Sequence, residues 1–298
     1  MTTINTKKIL VPIDFSITST RAIKHAATIA KLTNGELIFL HVQKKHELLD
    51  IILPVFQSNS TTKIERFLYY KLEELAQKAR DEYRINIKTI ILIGNITTEI
   101  IKAADENEVG LIVMGTQGKD SSNEGLFLGS NSYRVLTKSS IPVMTIRSDT
   151  PNSGYSNILL PIDSSFHSRQ KVNAAMEIAQ TFSSKLHILG LLGSHEDVYE
   201  YKLNVILPQI RKLAEIRKLS CTAEIEKAIN RAEKTIAYAK EVKADLIIIM
   251  SDQSSELSSF ILGSYAHQLI NNSKIPVLTI PPEIHPEMMA VDSIGGMW

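Results

Sequence analysis

The chain has 298 residues, 44% of them hydrophobic and 22% charged, with 33 basic residues against 32 acidic ones. This length favours two globular domains, and the even charge balance gives no electrostatic reason to expect a nucleic-acid or membrane partner. A single cysteine, Cys221, excludes an internal disulfide framework and a cysteine-rich zinc site, and we interpret it as a buried structural thiol. The N-terminus shows no secretory signal pattern, and no apolar run approaches the roughly 20 residues of a membrane span, so we expect a cytoplasmic protein.

The first half of the chain alternates short apolar runs with segments of helical spacing. Near-continuous apolar runs are typical of strands buried on both faces, and these runs cover 8–13, 36–42, 87–93, 111–114 and 143–146. Apolar residues at helical spacing predict helices at 19–32, 61–83, 98–106 and 130–137. The second half repeats this order, with strands near 158–162, 185–191, 220–226, 245–250 and 277–280. Strands that alternate with helices predict an α/β fold with parallel sheets.

Three blocks of the first half recur in the second half in the same order. Residues 8–14 recur as 157–163, residues 128–130 as 262–264, and residues 141–146 as 275–280. Such ordered self-similarity indicates a tandem duplication. We therefore predict two domains at 1–148 and 155–282, joined by a linker that contains Pro, Gly and Ser, with a C-terminal tail at 283–298.

Each predicted domain is a five-stranded parallel sheet with helices on both faces. The fifth strands carry alternating apolar residues that suit pairing across a two-fold axis, so we expect the two halves to mimic a dimer within one chain. We also expect whole chains to associate into a homo-oligomer, with a dimer as the simplest form. Parallel sheets of this kind bind ligands beyond the carboxyl ends of their strands, where the strand order switches.

Asp14 directly follows the first strand, and Asp163 occupies the same place in the second half. A carboxylate at this position can accept hydrogen bonds from a ribose hydroxyl or an adenine amino group. The other interpretation is a helix cap or a loop carboxylate. The recurrence favours a shared role and does not separate a role in the fold from a role in ligand binding.

Glycines cluster after the fourth strand of the first half. Gly115 and Gly118 follow that strand, and Gly129 with Ser130 opens the next helix. Glycines permit positive φ and let phosphate oxygens approach backbone N–H groups, and a helix N-terminus adds unpaired donors. Ser130 can cap the helix or turn its hydroxyl to a phosphate. The alternative to a phosphate site is a set of ordinary turn glycines.

These motifs resemble those of the universal stress protein family over both halves of the chain. The resemblance rests on Val11-Pro-Ile-Asp14, Ile112-Val-Met-Gly-Thr-Gln-Gly118 and Leu128-Gly-Ser130. It implies a Rossmann-like fold of the adenine nucleotide α-hydrolase type. ATP-binding members of the family carry Gly-x2-Gly-x9-Gly-Ser/Thr, and the first half has this pattern with one additional residue in the second gap.

The resemblance implies an adenine nucleotide site in the first half, with ATP, ADP or AMP as the ligand. The implied contacts to adenine and ribose are Pro12, Ile13, Asp14 and Val42, those under the nucleoside are Met114 and Gly115, and those to the phosphates are Gln117, Gly118, Gly129, Ser130 and Asn131. Mg²⁺ or Mn²⁺ would accompany the phosphates, held by phosphate and water rather than by a protein cage.

The second half departs from this pattern. Ser251 and Ser254 replace the two early glycines, and Asp252 brings negative charge towards the expected phosphates. Serine is unfavourable where φ must be positive, and a carboxylate repels a triphosphate. We therefore predict a degenerate second site and a structural role for the second half.

The sequence favours a stress-response regulatory protein that binds ATP or another adenine nucleotide in its first half. The alternative is a structural or adaptor protein that does not bind nucleotide and acts through dimerisation; a protein partner is not identified by the sequence. No residue is predicted to be catalytic or to bind a metal directly, because the chain shows no general base near the expected γ-phosphate and no kinase-type phosphate loop. Slow ATP hydrolysis is the most activity that we expect. The apolar segment 44–60 is interpreted as packing over the sheet edge or the sister domain, and the alternatives are a flap, a membrane-facing patch or a dimer contact. The tail 283–298 is interpreted as disordered, and the alternative is docking of Trp298 on a neighbouring subunit.

Overall fold

The computed structural model describes residues 6–44, 60–117, 128–151, 154–193, 197–253 and 260–282. Most of the apolar segment 44–60 and the whole tail 283–298 therefore lie outside the described residues, and the interpretation of both stays a prediction.

Strands and helices alternate along both halves. The first half contains β1 Lys8–Pro12, α1 Ile17–Thr33, β2 Glu36–Gln43, α2 Ser60–Tyr83, β3 Ile87–Ile93, α3 Ile96–Glu106, β4 Leu111–Gly115, α4 Ser130–Lys138 and β5 Val143–Ile146. The second half contains β6 Asn157–Ile162, α5 Phe166–Phe182, β7 Lys185–Gly193, α6 Asp197–Ile216, β8 Cys221–Ala228, α7 Arg231–Glu241, β9 Leu246–Met250, β10 Asp252–Gln253, β11 Phe260–Ile261, α8 Ser264–Asn272 and β12 Val277–Ile280. All strands predicted from the sequence are present, with their ends within two residues of the predicted ones.

A ten-stranded sheet runs through both halves in the order β3-β2-β1-β4-β5-β12-β9-β6-β7-β8. Neighbouring strands within each half are parallel, as in the pairs β1–β2, β1–β4 and β4–β5. The two halves join where β5 and β12 pair antiparallel, with Met144 opposite Leu278 and Thr145 opposite Val277. The predicted α/β fold class is confirmed, and the fifth strands pair with each other inside one chain.

Helices cover both faces of the sheet and bury two apolar cores. The helices α1, α2, α5 and α6 pack on one face, where Val11 and Phe39 are fully buried. The helices α3, α4, α7 and α8 pack on the other face, where Leu10 is fully buried. Alternate residues of a strand point to opposite faces, so Leu10 and Val11 enter different cores. Each core contains residues of both halves, and the two halves therefore share their apolar interior.

Polar side chains set several helix starts. Ser16 is the N-cap of α1 and accepts a hydrogen bond of 3.2 Å from the Ser19 N–H. Asn95 caps α3 in the same way, and Asn230 caps α7. A capping oxygen satisfies an N–H group that has no partner inside the helix. This is why α1 and α3 begin two residues earlier than their apolar spacing predicts.

The segment between β5 and β6 packs against the first helix of each half. Tyr155 is buried; its ring stacks on Phe182 with a centroid distance of 5.1 Å, and its hydroxyl oxygen lies 2.9 Å from Nδ1 of His25 on α1. The Arg21 guanidinium donates a hydrogen bond of 3.1 Å to the carbonyl of Thr150. These contacts fix α1 to the chain segment that connects the halves.

A short hairpin in the second half was not expected from the sequence. The two-residue strands β10 and β11 pair antiparallel, with Asp252 opposite Ile261 and Gln253 opposite Phe260. Strands of two residues carry no periodic pattern, so sequence spacing cannot reveal them.

Candidate functional site

A cavity of about 710 Å³ opens at the carboxyl ends of β1, β2 and β4 in the first half. Its volume lies within the range of roughly 300–1,000 Å³ that is typical of small-molecule sites. β1 pairs with both β2 and β4, so the strand order switches at this edge, and open α/β sheets bind ligands at such switches. Every predicted site residue that the structure describes lines the cavity, namely Pro12, Ile13, Asp14, Val42, Met114, Gly115, Gln117, Gly129, Ser130 and Asn131. Gly118 lies outside the described residues.

Asp14 shapes the turn between β1 and α1. Its Oδ1 accepts hydrogen bonds from the backbone N–H of Ser16 at 3.0 Å and from the Ser16 hydroxyl at 2.5 Å. Asp163 makes the same pair of bonds to Ser165, at 2.9 Å and 2.5 Å. The N-cap of α1 is Ser16 rather than Asp14. The recurrence of the aspartate is therefore explained by a shared turn, and in the first half this turn lines the cavity.

Gly115 is required by close packing rather than by positive φ. A Cβ at this position would lie 2.7 Å from Cβ and Oγ1 of Thr18 and 3.0 Å from the Thr18 carbonyl carbon. The Thr18 hydroxyl donates a hydrogen bond to the carbonyl of Gln117. The first turn of α1 thus sits directly on the end of β4. The expectation that the early glycine supplies a positive φ is wrong for Gly115.

The start of α4 is held to the end of β4 and faces the cavity. Gly129 is its N-cap, with φ of −62° and ψ of 147°, and no side chain caps the helix. Ser130 is therefore the first helical residue and not the cap. The Gly129 N–H donates to the carbonyl of Thr116 at 2.7 Å, and the Ser132 hydroxyl donates to the carbonyl of Gly115 at 2.9 Å. The first N–H groups of a helix have no partner inside it, so this end of α4 offers donors for an anion.

One wall of the cavity consists of residues that the sequence did not indicate. Phe15 adopts a left-handed conformation with φ of 62°, and its ring centroid lies 4.9 Å from that of His41. Nδ1 of His41 donates a hydrogen bond of 2.7 Å to the carbonyl of Ile13, which fixes the turn that follows β1. Lys71 of α2 places its Nζ 4.3 Å from the centre of the Phe15 ring. A cation over an aromatic face is favourable, and this contact brings positive charge to the cavity.

Cationic side chains outnumber carboxylates among the described residues that line the cavity. Lys44, Lys71 and Arg134 line it, against the single carboxylate of Asp14. A concave site with an excess of positive charge favours an anionic ligand. Arg134 lies one helical turn after Ser130, so its position could have been found from helical spacing. Lys71 is distant in sequence from the motif residues, and no local pattern indicates it.

The equivalent region of the second half contains larger side chains at three matched positions, and two of the three are cationic. Matching the two repeats places Lys171 where the first half has Ala22, Arg231 where it has Ile96, and Tyr265 where it has Asn131. The Tyr265 hydroxyl oxygen lies 3.1 Å from that of Thr235, and burial raises the pKa of Tyr265. Ser251, which replaces an early glycine, is buried, and Ser254 lies outside the described residues.

Two cationic side chains of the second half, Lys171 and Arg231, lower the pKa of the Asp163 carboxyl. Burial alone would raise the pKa of Asp163, but hydrogen bonds from Ser165 and the charges of Lys171 and Arg231 hold this pKa below its ordinary value. Lys171 is only 5% exposed. Charges that the chain itself supplies therefore surround the position equivalent to Asp14. This arrangement favours a degenerate second site, which stays a prediction.

Two other residues of types that can act in catalysis or bind metals, Cys221 and His187, have surroundings that favour a structural role. Cys221, which we expected to be buried, is half-buried. Burial raises the pKa of its thiol, and this disfavours the reactive thiolate. His187 on β7 has Nδ1 2.9 Å from the Thr222 hydroxyl and Nε2 3.2 Å from Oδ1 of Asn157.

Among the residues that the structure describes, no three His, Cys, Asp or Glu side chains cluster as metal ligands. Within the same ranges, no helix combines the length and the apolar character that crossing a membrane requires.

Comparison with known proteins identifies the family of both halves. The universal stress protein family model matches residues 5–147 and again residues 154–281. Universal stress protein MJ0577 of Methanocaldococcus jannaschii is 35% identical over 154 residues, which cover 47% of this chain and 94% of that protein. Universal stress protein YxiE of Bacillus subtilis is 32% identical over 154 residues, which cover 47% of this chain and 98% of that protein.

A solved structure matches the tandem arrangement as a whole. The crystal structure of a universal stress protein from Archaeoglobus fulgidus superposes with a TM-score of 0.74 and covers 93% of this chain and 99% of its own. The sequence identity is 21%, so this similarity concerns the fold. Together with the two family matches, it shows that the chain belongs to the universal stress protein family and carries two of its domains in tandem.

Proposed function

We propose that the first half binds an adenine nucleotide, ATP or its diphosphate or monophosphate, and that the protein acts as a nucleotide-dependent regulator in the stress response. The observation that carries the proposal is the start of α4, where a helix without a side-chain cap opens onto a cavity lined by three cations, Lys44, Lys71 and Arg134. Unpaired N–H donors and positive charge both favour an anion. The glycine pattern, which resembles that of ATP-binding family members, supports an adenine nucleotide among the anionic ligands.

The cavity offers separate surfaces to the two ends of such a ligand. Adenine and ribose would contact the apolar end, which includes Pro12, Ile13 and Val42, with Asp14 as an acceptor for a ribose hydroxyl or the adenine amino group. The α-phosphate would lie near Gln117, and the outer phosphates, β and γ, would bind at the turn of residues 129–131. Mg²⁺ or Mn²⁺ would be carried by the phosphates and their water shell. No residue is assigned a catalytic role.

The second half is proposed to serve as a structural partner. Its strand β12 covers the edge of β5, which would otherwise be exposed. Because this pairing takes place within one chain, the proposed association of whole chains has to use other surfaces, such as the sheet edges at β3 and β8. A cytoplasmic location and a protein partner remain parts of the proposal.

Titration calorimetry with ATP on the wild type and on Asn131→Tyr tests the nucleotide site. Tyrosine is the residue that the second half carries at the equivalent position, Tyr265, so the fold accommodates it there. In the first half it would fill the space beside the phosphate turn, and we expect a loss of affinity of about tenfold or more. Asn272→Tyr, on the exposed side of α8, is the matched control and should bind like the wild type.

Two results would contradict the proposal. A wild type without measurable ATP or AMP binding would favour the adaptor alternative, in which the fold is kept and nucleotide binding is lost. Equal affinity of the wild type and Asn131→Tyr would place any nucleotide outside this cavity.

A further inference from the structure

The turn that begins α4 is held from two sides. On the side of its own sheet, the Gly129 N–H donates to the carbonyl of Thr116 at 2.7 Å. On the other side, the preceding N–H, that of Leu128, donates to Oδ1 of Asn271 in the second half at 2.6 Å. Two consecutive N–H groups therefore connect this turn to β4 of the first half and to α8 of the second half.

Asn271 is itself held in one orientation. Its Nδ2 lies 3.2 Å from Nδ1 of His267, one turn earlier on α8. The backbone carbonyl of Asn271 accepts a hydrogen bond from the guanidinium of Arg147, which follows β5. The His267 ring lies edge-on to the ring of Tyr133 on α4, at a centroid distance of 6.4 Å. The side-chain amide thus presents its oxygen to Leu128 because its nitrogen faces His267.

Within the described ranges, the matching position of the first half does not repeat this hydrogen bond. In the repeat, Thr137 of α4 occupies the place of Asn271. The Thr137 hydroxyl bonds to carbonyls of its own helix, those of Tyr133 at 3.1 Å and Arg134 at 3.3 Å. The turn that forms a hydrogen bond with the other half is therefore the turn at the start of α4, which faces the cavity of the first half.

We propose that Asn271 is a positioning residue for the anion-binding turn of the first half. Its bond to the Leu128 N–H fixes the chain one residue before Gly129. The direction in which the chain enters α4 then sets where the N–H groups of the first turn of α4 point. Asn271 does not belong to the described lining of the cavity, so it acts through the turn. The inference rests on the proposed nucleotide site and gives the second half a specific part in it.

Three variants separate this role from general stability. Asn271→Leu keeps a similar volume and removes the acceptor, while Asn271→Asp keeps an acceptor for the Leu128 N–H. Asn272→Leu changes the exposed neighbour on the same helix and is the control. Each variant is titrated with ATP and with AMP, which lacks the β- and γ-phosphates.

We expect Asn271→Leu to bind ATP about two- to tenfold more weakly, as for the loss of one hydrogen bond of ordinary strength. AMP affinity should change by less than about twofold, because the turn is proposed to hold the outer phosphates. Asn271→Asp should recover most of the ATP affinity, and Asn272→Leu should match the wild type. Amide exchange without nucleotide provides a second measurement, in which the Leu128 N–H loses protection in Asn271→Leu and keeps it in Asn271→Asp.

The outcomes distinguish this inference from the proposed function. If the wild type binds ATP and Asn271→Leu binds it equally well, the positioning role is overturned and the nucleotide site stands. Equal losses for ATP and AMP would indicate a loosened first half and would also overturn the positioning role. If the wild type binds neither nucleotide, the proposed function fails and the positioning role fails with it.

Discussion

The buried pair of His25 and Tyr155 predicts that acid weakens the junction between the halves. His25 is only 2% exposed, and its Nε2 is buried without a hydrogen-bond partner in the described part of the chain. Burial first, and then the charge of Arg21, lowers the pKa of His25 from 6.5 to about 4. At the same junction, burial and then the charge of Asp245 raise the pKa of Tyr155. A protonated His25 would place a charge in an apolar interface.

The sign and size of the effect follow from the two pKa values. In the unfolded chain His25 takes up a proton near pH 6.5, whereas in the folded chain it does so near pH 4. Between these values the unfolded state binds more protons, so the free energy of unfolding falls as the pH is lowered. A pKa difference of about 2.5 corresponds to about 3.4 kcal/mol in full, of which about 2.5 kcal/mol is lost by pH 4.5.

Urea unfolding at pH 7.0 and at pH 4.5, on the wild type and on His25→Asn, measures this contribution. Asparagine keeps a hydrogen-bonding group near the position of Nδ1 for Tyr155 and does not titrate. Carboxylates such as Glu73, whose pKa is lowered by its hydrogen bond from Arg80, also respond to acid, and they contribute equally to both proteins. The wild type should therefore lose about 2.5 kcal/mol more than the variant. Equal losses in the two proteins would refute the reasoning.

Two further predictions concern the cavity. Gly115→Ala should lower the free energy of unfolding by about 1–3 kcal/mol, because the new Cβ would lie 2.7 Å from Thr18; an unchanged denaturation midpoint would argue against the close contact of α1 with β4. Arg134→Ala should weaken ATP binding about two- to fivefold at low salt and less at high salt, since the side chain is exposed. A calorimetric salt series checks this, and a salt-independent loss would point to a packing role for Arg134.

The sheet could be predicted from the sequence because its strands are buried on both faces. Residues such as Leu10 and Val11 belong to different cores, so the strand reads as a continuous apolar run. Repetition of the pattern then gave the tandem arrangement, and the apolar fifth strands indicated their own pairing. The predicted helix starts were less accurate. The N-caps Ser16 and Asn95 are polar, and the spacing of apolar residues does not reveal them.

The position of the site could be predicted from the sequence, whereas the structural roles of its individual residues could not. Strand ends of a parallel sheet meet at one edge, which is why Asp14 and Gly115 both line the cavity. The turn that Asp14 makes with Ser16 and the contact of Gly115 with Thr18 depend on local coordinates. Glycine was expected to supply positive φ, but α1 packs so closely on β4 that the absence of a Cβ is what matters at Gly115.

Contacts between residues distant in sequence were not accessible from the sequence. Lys71 reaches the cavity from α2, Asn271 reaches Leu128 from the other half, and Tyr155 meets His25 across the linker. None of these pairs carries a local spacing or motif. The Lys71 contact depends on the packing of α2 beside the turn after β1, and the other two contacts depend on how the ten-stranded sheet brings the two halves together.

Native mass spectrometry of the purified chain with ATP tests the central claim most directly, because it counts nucleotides per chain. The account predicts one bound nucleotide per chain, with a lower bound fraction in Asn131→Tyr and an unchanged count of one in Tyr265→Asn. No bound nucleotide in the wild type, or two per chain, would contradict a single adenine nucleotide site in the first half.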